Sequence, residues 1–269
     1  MEKIIIDKYL CVRCGQCVAV CPNNLLYRRT TNDYPSVAAE AETTCIKCNH
    51  CVAVCPVGAV AVDGIDAAAC TKITRESFPR FEHIETLVRT RRSIRRYSDQ
   101  QFEDRTVEQL LDVVRWAPSA KNGLPVKWIA INSRKKVREL GGLVIDWVKT
   151  LPNMERLIKS WDEGNDPIFR GAPCVIAAYT DNAAYWPAAD AVIAVETLDL
   201  CAAAKRLGSC WAGFFVQAAQ SAAAKTDINR WLGLSENETV QGGLMIGYVG
   251  DAAYQRIPHR PQISLRWIR

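Results

Sequence analysis

Eight of the twelve cysteines stand in two copies of one spacing: Cys11, Cys14, Cys17, Cys21 and Cys45, Cys48, Cys51, Cys55. Each copy reads C-x2-C-x2-C-x3-C and ends on a proline, Pro22 or Pro56. Every cysteine of the second copy follows its counterpart by 34 residues. Thiolates are soft, charged ligands suited to iron, and three of them two residues apart can wrap one set of cubane corners. In a duplicated run of this kind the fourth cysteine ligates the other cluster. Cys11, Cys14, Cys17 and Cys55 then make one set, and Cys45, Cys48, Cys51 and Cys21 the other. The proline after each fourth cysteine stops a helix and turns the chain away. The expected chemistry is one-electron transfer through two [4Fe–4S] clusters.

The spacing resembles that of bacterial two-cluster ferredoxins. A disulfide framework suits small secreted chains, but the start MEKIIIDKYL has too short an apolar stretch for an export signal. Structural zinc favours paired C-x2-C knuckles separated by a longer loop. Cys70, Cys174, Cys201 and Cys210 share no such spacing, and buried structural thiols are the expectation for them. Among the histidines, His50 lies between cluster ligands and reads as a surface residue, and His83 falls in a linker. Only His259, beside Arg260, has a functional case.

Five further pieces carry polar chemistry. Arg91-Arg92-Ser93-Ile94-Arg95-Arg96-Tyr97 gathers guanidinium forks, which bind oxyanions bidentately, though a cationic surface patch would look the same. Trp116 to Pro125 holds the turn residues Pro118-Ser119 and Asn122-Gly123. Leu207-Gly-Ser-Cys-Trp-Ala-Gly-Phe214 follows a long apolar segment, Met245-Ile-Gly-Tyr-Val-Gly250 comes next, and a basic tail runs from Arg256 to Pro261. No G-x-G-x-x-G follows a strand, so a dinucleotide-binding Rossmann domain is not expected.

These pieces need elements to hold them. A chain of 269 residues is too long for the cluster motif alone, and 49% hydrophobic content can fill a second core. Residues 1–65 read as the cluster domain, with strands at Lys3 to Ile6 and Leu25 to Arg29. Residues 66–83 have no sustained periodicity and read as a linker, and 84–269 as a second domain. In the latter, the pattern predicts a helix from Thr106 with an N-cap at Asp104 or Thr106, then a strand at Lys127 to Asn132. A helix at Arg134 to Leu143 and a strand at Cys174 to Tyr179 follow. A long helix from Asp190 to Leu207 is expected to close at Gly208, before a last strand at Leu244 to Val249. Asp190, Glu196 and Asp199 on that apolar helix call for capping or buried pairing. Helices alternate irregularly with strands, so the fold class is α+β rather than a regular βαβ array. The uncharged run Leu207 to Ala224 is too polar for a membrane span and reads as interior. The formal charge of +5 falls to about +1 once two dianionic clusters are counted, and no long basic run exists, so nucleic acid is disfavoured.

In their order, the five pieces resemble the nitroreductase family of FMN flavoproteins over residues 84–269, which makes the whole chain similar to a ferredoxin–nitroreductase fusion. The resemblance implies an α+β sandwich forming an intertwined homodimer with FMN at the interface. It places Arg91, Arg92 and Ser93 at the FMN phosphate and ribityl chain, with Arg260 as a late phosphate ligand. It sets Arg95 against the pyrimidine edge, where a cation stabilises negative charge on the reduced ring. Asn122 reaches the flavin from its loop, and backbone at Ala212 and Gly213 bonds near N5 and O4. Two departures concern the pocket and the tail. The family's N-x-Q-P-W is here Asn122-Gly-Leu-Pro125-Val126 with Trp128 displaced, and Pro258 stands where a second cation is expected, so that Arg256 or His259 takes that place. Residues 144–170 form either a lid or a dimer contact.

The implied activity passes low-potential electrons from a ferredoxin-like donor through the clusters to FMN, and on to a nitroaromatic, quinone or enone. An electron relay with no small-molecule substrate of its own is one alternative. An NAD(P)H-dependent flavin reductase with accessory clusters is the other. A cytoplasmic, low-oxygen setting is expected.

Overall fold

The computed structural model describes residues 4–251 and 254–269, and two compact units emerge, residues 1–79 with 121–123 and residues 80–120 with 124–269. The first unit is built on its duplication. Strand β1 (Ile4–Ile6) leads to helix α1 (Gln16–Val20), the β2–β3 hairpin (Leu26–Tyr27, Ser36–Val37) and helix α2 (Ala41–Thr44). Helix α3 (His50–Ala53) and strand β4 (Val60–Val62) complete it, β4 pairing antiparallel with β1. The expected first strand includes Lys3, which lies outside the described residues. Left-handed backbone recurs at the 34-residue interval: Arg13 and Lys47 (φ 57° and 51°), Gly15 and Asn49 (77° and 57°), Asn24 and Gly58 (53° and 69°). Successive N–H groups in such turns form concavities that favour anions. The core is small, and Cys17 and Cys51 are part of it beside Ile4, Leu26, Val52 and Val60.

The segment expected as a linker holds two short 3-10 turns, Ala67–Ala69 and Arg75–Ser77, and helix α4 (Phe81–Thr90) begins before its expected end. Helix α5 (Asp104–Val114) and strand β5 (Lys127–Ile131) follow, then helix α6 (Arg134–Val148), whose first turn Ser133 caps through a bond from the Lys136 N–H. Helix α7 (Glu155–Asp162), strand β6 (Cys174–Asp181) and helix α8 (Pro187–Ala204) come next. Strand β7 (Leu207–Trp211), helix α9 (Gly213–Gln220), helix α10 (Lys225–Leu232) and strand β8 (Glu238–Tyr248) end the unit. The sheet is antiparallel in the order β5-β6-β8-β7.

Helices cover both faces of this sheet, and β6 shows why its sequence is apolar throughout. Cys174, Ile176 and Ala178 join a core with α5 and α8, and Val175 and Ala177 one with α6, α9 and α10. The uncharged run Leu207 to Ala224 lies in β7 and α9, largely buried, as its composition implies. Residues 144–170 finish α6 and form α7, which packs on the second core through Leu157, Ile158 and Trp161. Trp161 covers Gly141, where a Cβ would come within 3.0 Å of the indole, and Arg138 stacks 3.5 Å from the centre of its ring system.

One expectation fails at Gly208. The long helix ends earlier, and Arg206 (φ 59°) supplies the left-handed turn. Gly208 sits within β7 because Ile94 lies against it: a Cβ there would stand 2.7 Å from Ile94 Cγ2. Cys70 is a second correction, an exposed thiol bonded to the Asp66 carbonyl, whereas Cys174 and Cys210 are buried.

Gly208→Ala is expected to destabilise the second unit by about 1–3 kcal/mol through this overlap. Combining it with Ile94→Ala should cost less than the sum of the two single changes, because the added methyl fills the space vacated. Urea midpoints of the four proteins check both statements.

Candidate functional site

The eight repeated thiols gather in two groups, and each group draws on both copies. Cys17 is surrounded by Cys11, Cys55 and Cys14, and Cys51 has Cys48 and Cys21 as neighbours. A small cavity is lined by Cys21, Cys45, Cys48 and Cys51 together with Ile4, Leu25 and Val62. The crossing of the fourth cysteine is thus a matter of position. Cys21 and Cys55 leave their own helices and reach the other group, where each sulfur accepts a backbone N–H from four residues on. Leu25 donates to Cys21 at 3.3 Å, and Ala59 to Cys55 at 3.2 Å. Hydrogen bonds to sulfur favour the thiolate and raise a cluster's potential.

Burial pushes the Cys17 thiol up, and the Cys51 thiol up to about 11. A buried thiolate needs a cation, and iron is one that replaces the proton. A cubane spreads its ligands over separate corners, and four thiols in each group match that number. His50 is exposed at the start of α3 and lines the cavity beside Cys48 and Cys51.

In the second unit the strip Arg91–Tyr97 runs beside the edge strand β7. The Ile94 N–H donates to the Ser209 carbonyl at 2.8 Å, Ser93 bridges to Ser209, and the Tyr97 hydroxyl donates to the Ile94 carbonyl at 2.9 Å. Burial raises the Tyr97 phenol far above its usual range, which keeps it a neutral donor. Two concavities open along this strip. Arg91, Arg92, His259 and Arg260 line a wide groove with Arg89, Glu196, Ile257 and Pro258. Arg95 lines a second concavity with Arg170, Cys210, Trp211, Gly213, Phe214 and Gln217. The groove suits an anion, and the second concavity a flat polar ring between aromatic walls. Of the two candidates for assisting Arg260, His259 lines the groove.

Arg91 Nη1 lies 3.1 Å from Asp199 Oδ2, in an ion pair largely removed from water, and the Ser209 hydroxyl bonds to the other carboxylate oxygen. The acids on α8 called for such pairing, but the partner of Asp199 lies 108 residues upstream and no local spacing reveals it. Asp190, also buried, accepts the Ala120 N–H at 2.9 Å and so fixes the loop before Asn122.

Lys121–Gly123 groups with the first unit, where the Asn122 amide donates to the carbonyls of Ile46 (3.1 Å) and Lys47 (3.2 Å). Ala212 has its N–H bonded to Gly243 and its carbonyl to Val216. Gly213, first residue of α9, carries one of the N–H groups that a helix start leaves for an outside acceptor.

Comparison with known proteins completes the site. Residues 88–248 match the model of the nitroreductase family, and residues 10–76 that of the 4Fe-4S dicluster domain. A candidate NADH dehydrogenase/NAD(P)H nitroreductase of Archaeoglobus fulgidus is 28% identical over 165 residues, 61% of this chain and 84% of that protein. The crystal structure of a Bacteroides fragilis nitroreductase with bound FMN superposes with a TM-score of 0.60 at 19% identity, over 69% of this chain and 98% of that one. An FMN-bound nitroreductase from Desulfitobacterium hafniense gives 0.56 at 20% identity, over 66% and 93%.

With so few apolar residues in its core, the first unit depends on what its thiols bind. Anaerobic iron chelation is expected to abolish its folded signal while the second unit keeps its melting transition, as followed by calorimetry. Cys21→Ser should remove the cluster of the Cys45 group and leave that of the Cys11 group, read as a loss of about half the iron with one reduced-cluster spectrum retained.

Proposed function

The chain belongs to the nitroreductase family, and on that premise we propose an FMN-dependent reductase that receives low-potential electrons through two [4Fe–4S] clusters and passes them to an electron-poor organic acceptor. The observation that carries this reading is the sorting of eight thiols into two mixed groups. A reductase fed only by a two-electron donor has no use for one-electron centres. Two clusters together hold as many electrons as one flavin accepts.

FMN supplies the conversion between one- and two-electron chemistry when bound. The protein's part is binding and charge. Arg91, Arg92, Ser93 and Arg260 hold the phosphate end, with His259 beside them. Arg95 would stand at the pyrimidine edge and favour negative charge there, as preorganised donors do at any developing charge. Gly213, in the same concavity, would offer its N–H to the ring. Cys11, Cys14, Cys17 and Cys55 ligate one cluster, and Cys45, Cys48, Cys51 and Cys21 the other. Joining donor and acceptor in one chain raises their effective concentration to roughly millimolar. Nitroaromatics, quinones and activated enones fit the aromatic walls of Trp211 and Phe214. The name of the Archaeoglobus relative favours a second reading, in which NAD(P)H reduces the flavin directly.

We also infer a homodimer. Helix α8 is rich in apolar residues, yet Val192 and Ile193 are 49% and 41% exposed. Phe81, Ile84 and Val88 of α4, at 72%, 44% and 54%, make a second apolar stripe at helical spacing. Exposed faces of this kind find a partner, and a second copy supplies matching ones.

Anaerobic stopped-flow reduction separates the two donor readings. Reduced ferredoxin should bleach the flavin band rapidly, and NADPH slowly. Cys14→Ser should abolish the ferredoxin-driven phase yet leave photoreduced flavin competent toward nitroaromatics. Rapid bleaching by NADPH in that variant would overturn the cluster route. Ile193→Arg should convert the dimer to a monomer in light scattering and release FMN in the same preparation.

A further inference from the structure

We propose that Asp199 is a positioning residue for the phosphate end of the flavin site, acting through Arg91; this rests on the reading that Arg91 binds that phosphate. Asp199 sits on α8 with Leu198 and Ala202, both fully buried. An isolated carboxylate there would be costly, and an apolar side chain would fit the helix better. What the carboxylate does is join three elements. One oxygen takes the Ser209 hydroxyl from β7, and the other takes Arg91 Nη1 from the start of the strip beside β7. Ser209 itself holds that strip, since its carbonyl receives the Ile94 N–H. The acid, the hydroxyl and the guanidinium are thus fixed to one backbone pairing.

A guanidinium has five N–H donors in a planar fork. Asp199 engages Arg91 through Nη1, and Arg91 also lines the groove that Arg92, His259 and Arg260 share. With one edge held from within, the plane of the fork is set before any anion arrives, and less rotational freedom is lost on binding. The acid and the phosphate therefore take different donors of one guanidinium, and Asp199 strengthens the phosphate contact without touching it.

The test compares FMN with riboflavin, which lacks the phosphate, by fluorescence quenching on the full-length protein stripped of flavin with its clusters intact. Asp199→Asn should weaken FMN about tenfold, the loss expected for a charge-assisted bond, and leave riboflavin unchanged. Arg91→Ala should show the same selectivity, and adding Asp199→Asn to it should cost nothing more. An unchanged or tighter FMN affinity in Asp199→Asn, or an equal loss for both flavins, overturns the positioning role. Unaltered FMN binding in Arg91→Ala would instead overturn the phosphate reading itself, so the two failures are distinct. If Asp199→Asn does not fold, Ser209→Ala carries the test: it frees the carboxylate without removing its charge. A loss confined to FMN supports the role, and equal affinities for wild type and variant sink it.

Discussion

The flavin-binding half of the chain depends on a short strip, Arg91–Tyr97, being held against the edge strand β7. The backbone supplies one bond, Ile94 to Ser209, and side chains supply the rest. Ile94 lies over Gly208, the Tyr97 hydroxyl folds back to the Ile94 carbonyl, and Asp199 ties Arg91 to Ser209. Both concavities take cations from this strip, Arg91 and Arg92 in one beside Arg89 and Arg260, and Arg95 in the other beside Arg170. Displacing it would dismantle both at once. That coupling explains why a helix otherwise suited to apolar side chains keeps a buried acid.

The N-terminal unit solves the opposite problem. Among the described residues it has no sheet of more than two strands, and its apolar core is filled out by cysteines of the repeated motif. On the proposed ligand assignment, the order that a larger domain draws from packing comes here from iron–sulfur bonds crossing between the two copies. The crossing matters for more than electron transfer. Because Cys21 and Cys55 each reach the other group, the proposed assignment lets neither copy complete its own site, and the cofactors would lock the duplicated halves together.

Much of this was legible in the chain. The cysteine duplication and the apolar strand expected at Cys174 to Tyr179, which runs to Asp181 in the structure, each rest on local spacing or local apolarity. What escaped was tertiary. Gly208 looks like a helix terminator because glycine commonly is one, and only the approach of Ile94 from 114 residues upstream makes it a strand residue. Arg206, a non-glycine residue in left-handed backbone, took the terminating role instead. Cys70 was expected inside from the average habit of its residue type, which carries no information about a short turn at the edge of a small unit. Asn122 illustrates a further limit: the loop was identified, but its amide's partners, Ile46 and Lys47, belong to a part of the sequence without any local sign of the pairing.

The two units also differ in when their cofactors are needed. In the second, the sheet, both helix layers and the strip at β7 are held by protein–protein interactions, so a flavin enters a site already formed. Its affinity then reflects how well Arg91 and its neighbours are oriented beforehand, with little folding energy spent on binding. In the first, binding free energy and folding free energy are the same quantity, because the buried thiols have no other compensation for leaving water. The first unit is therefore the one whose fold is tied to its cofactors, and the second the one whose pocket can change while the frame around it stands.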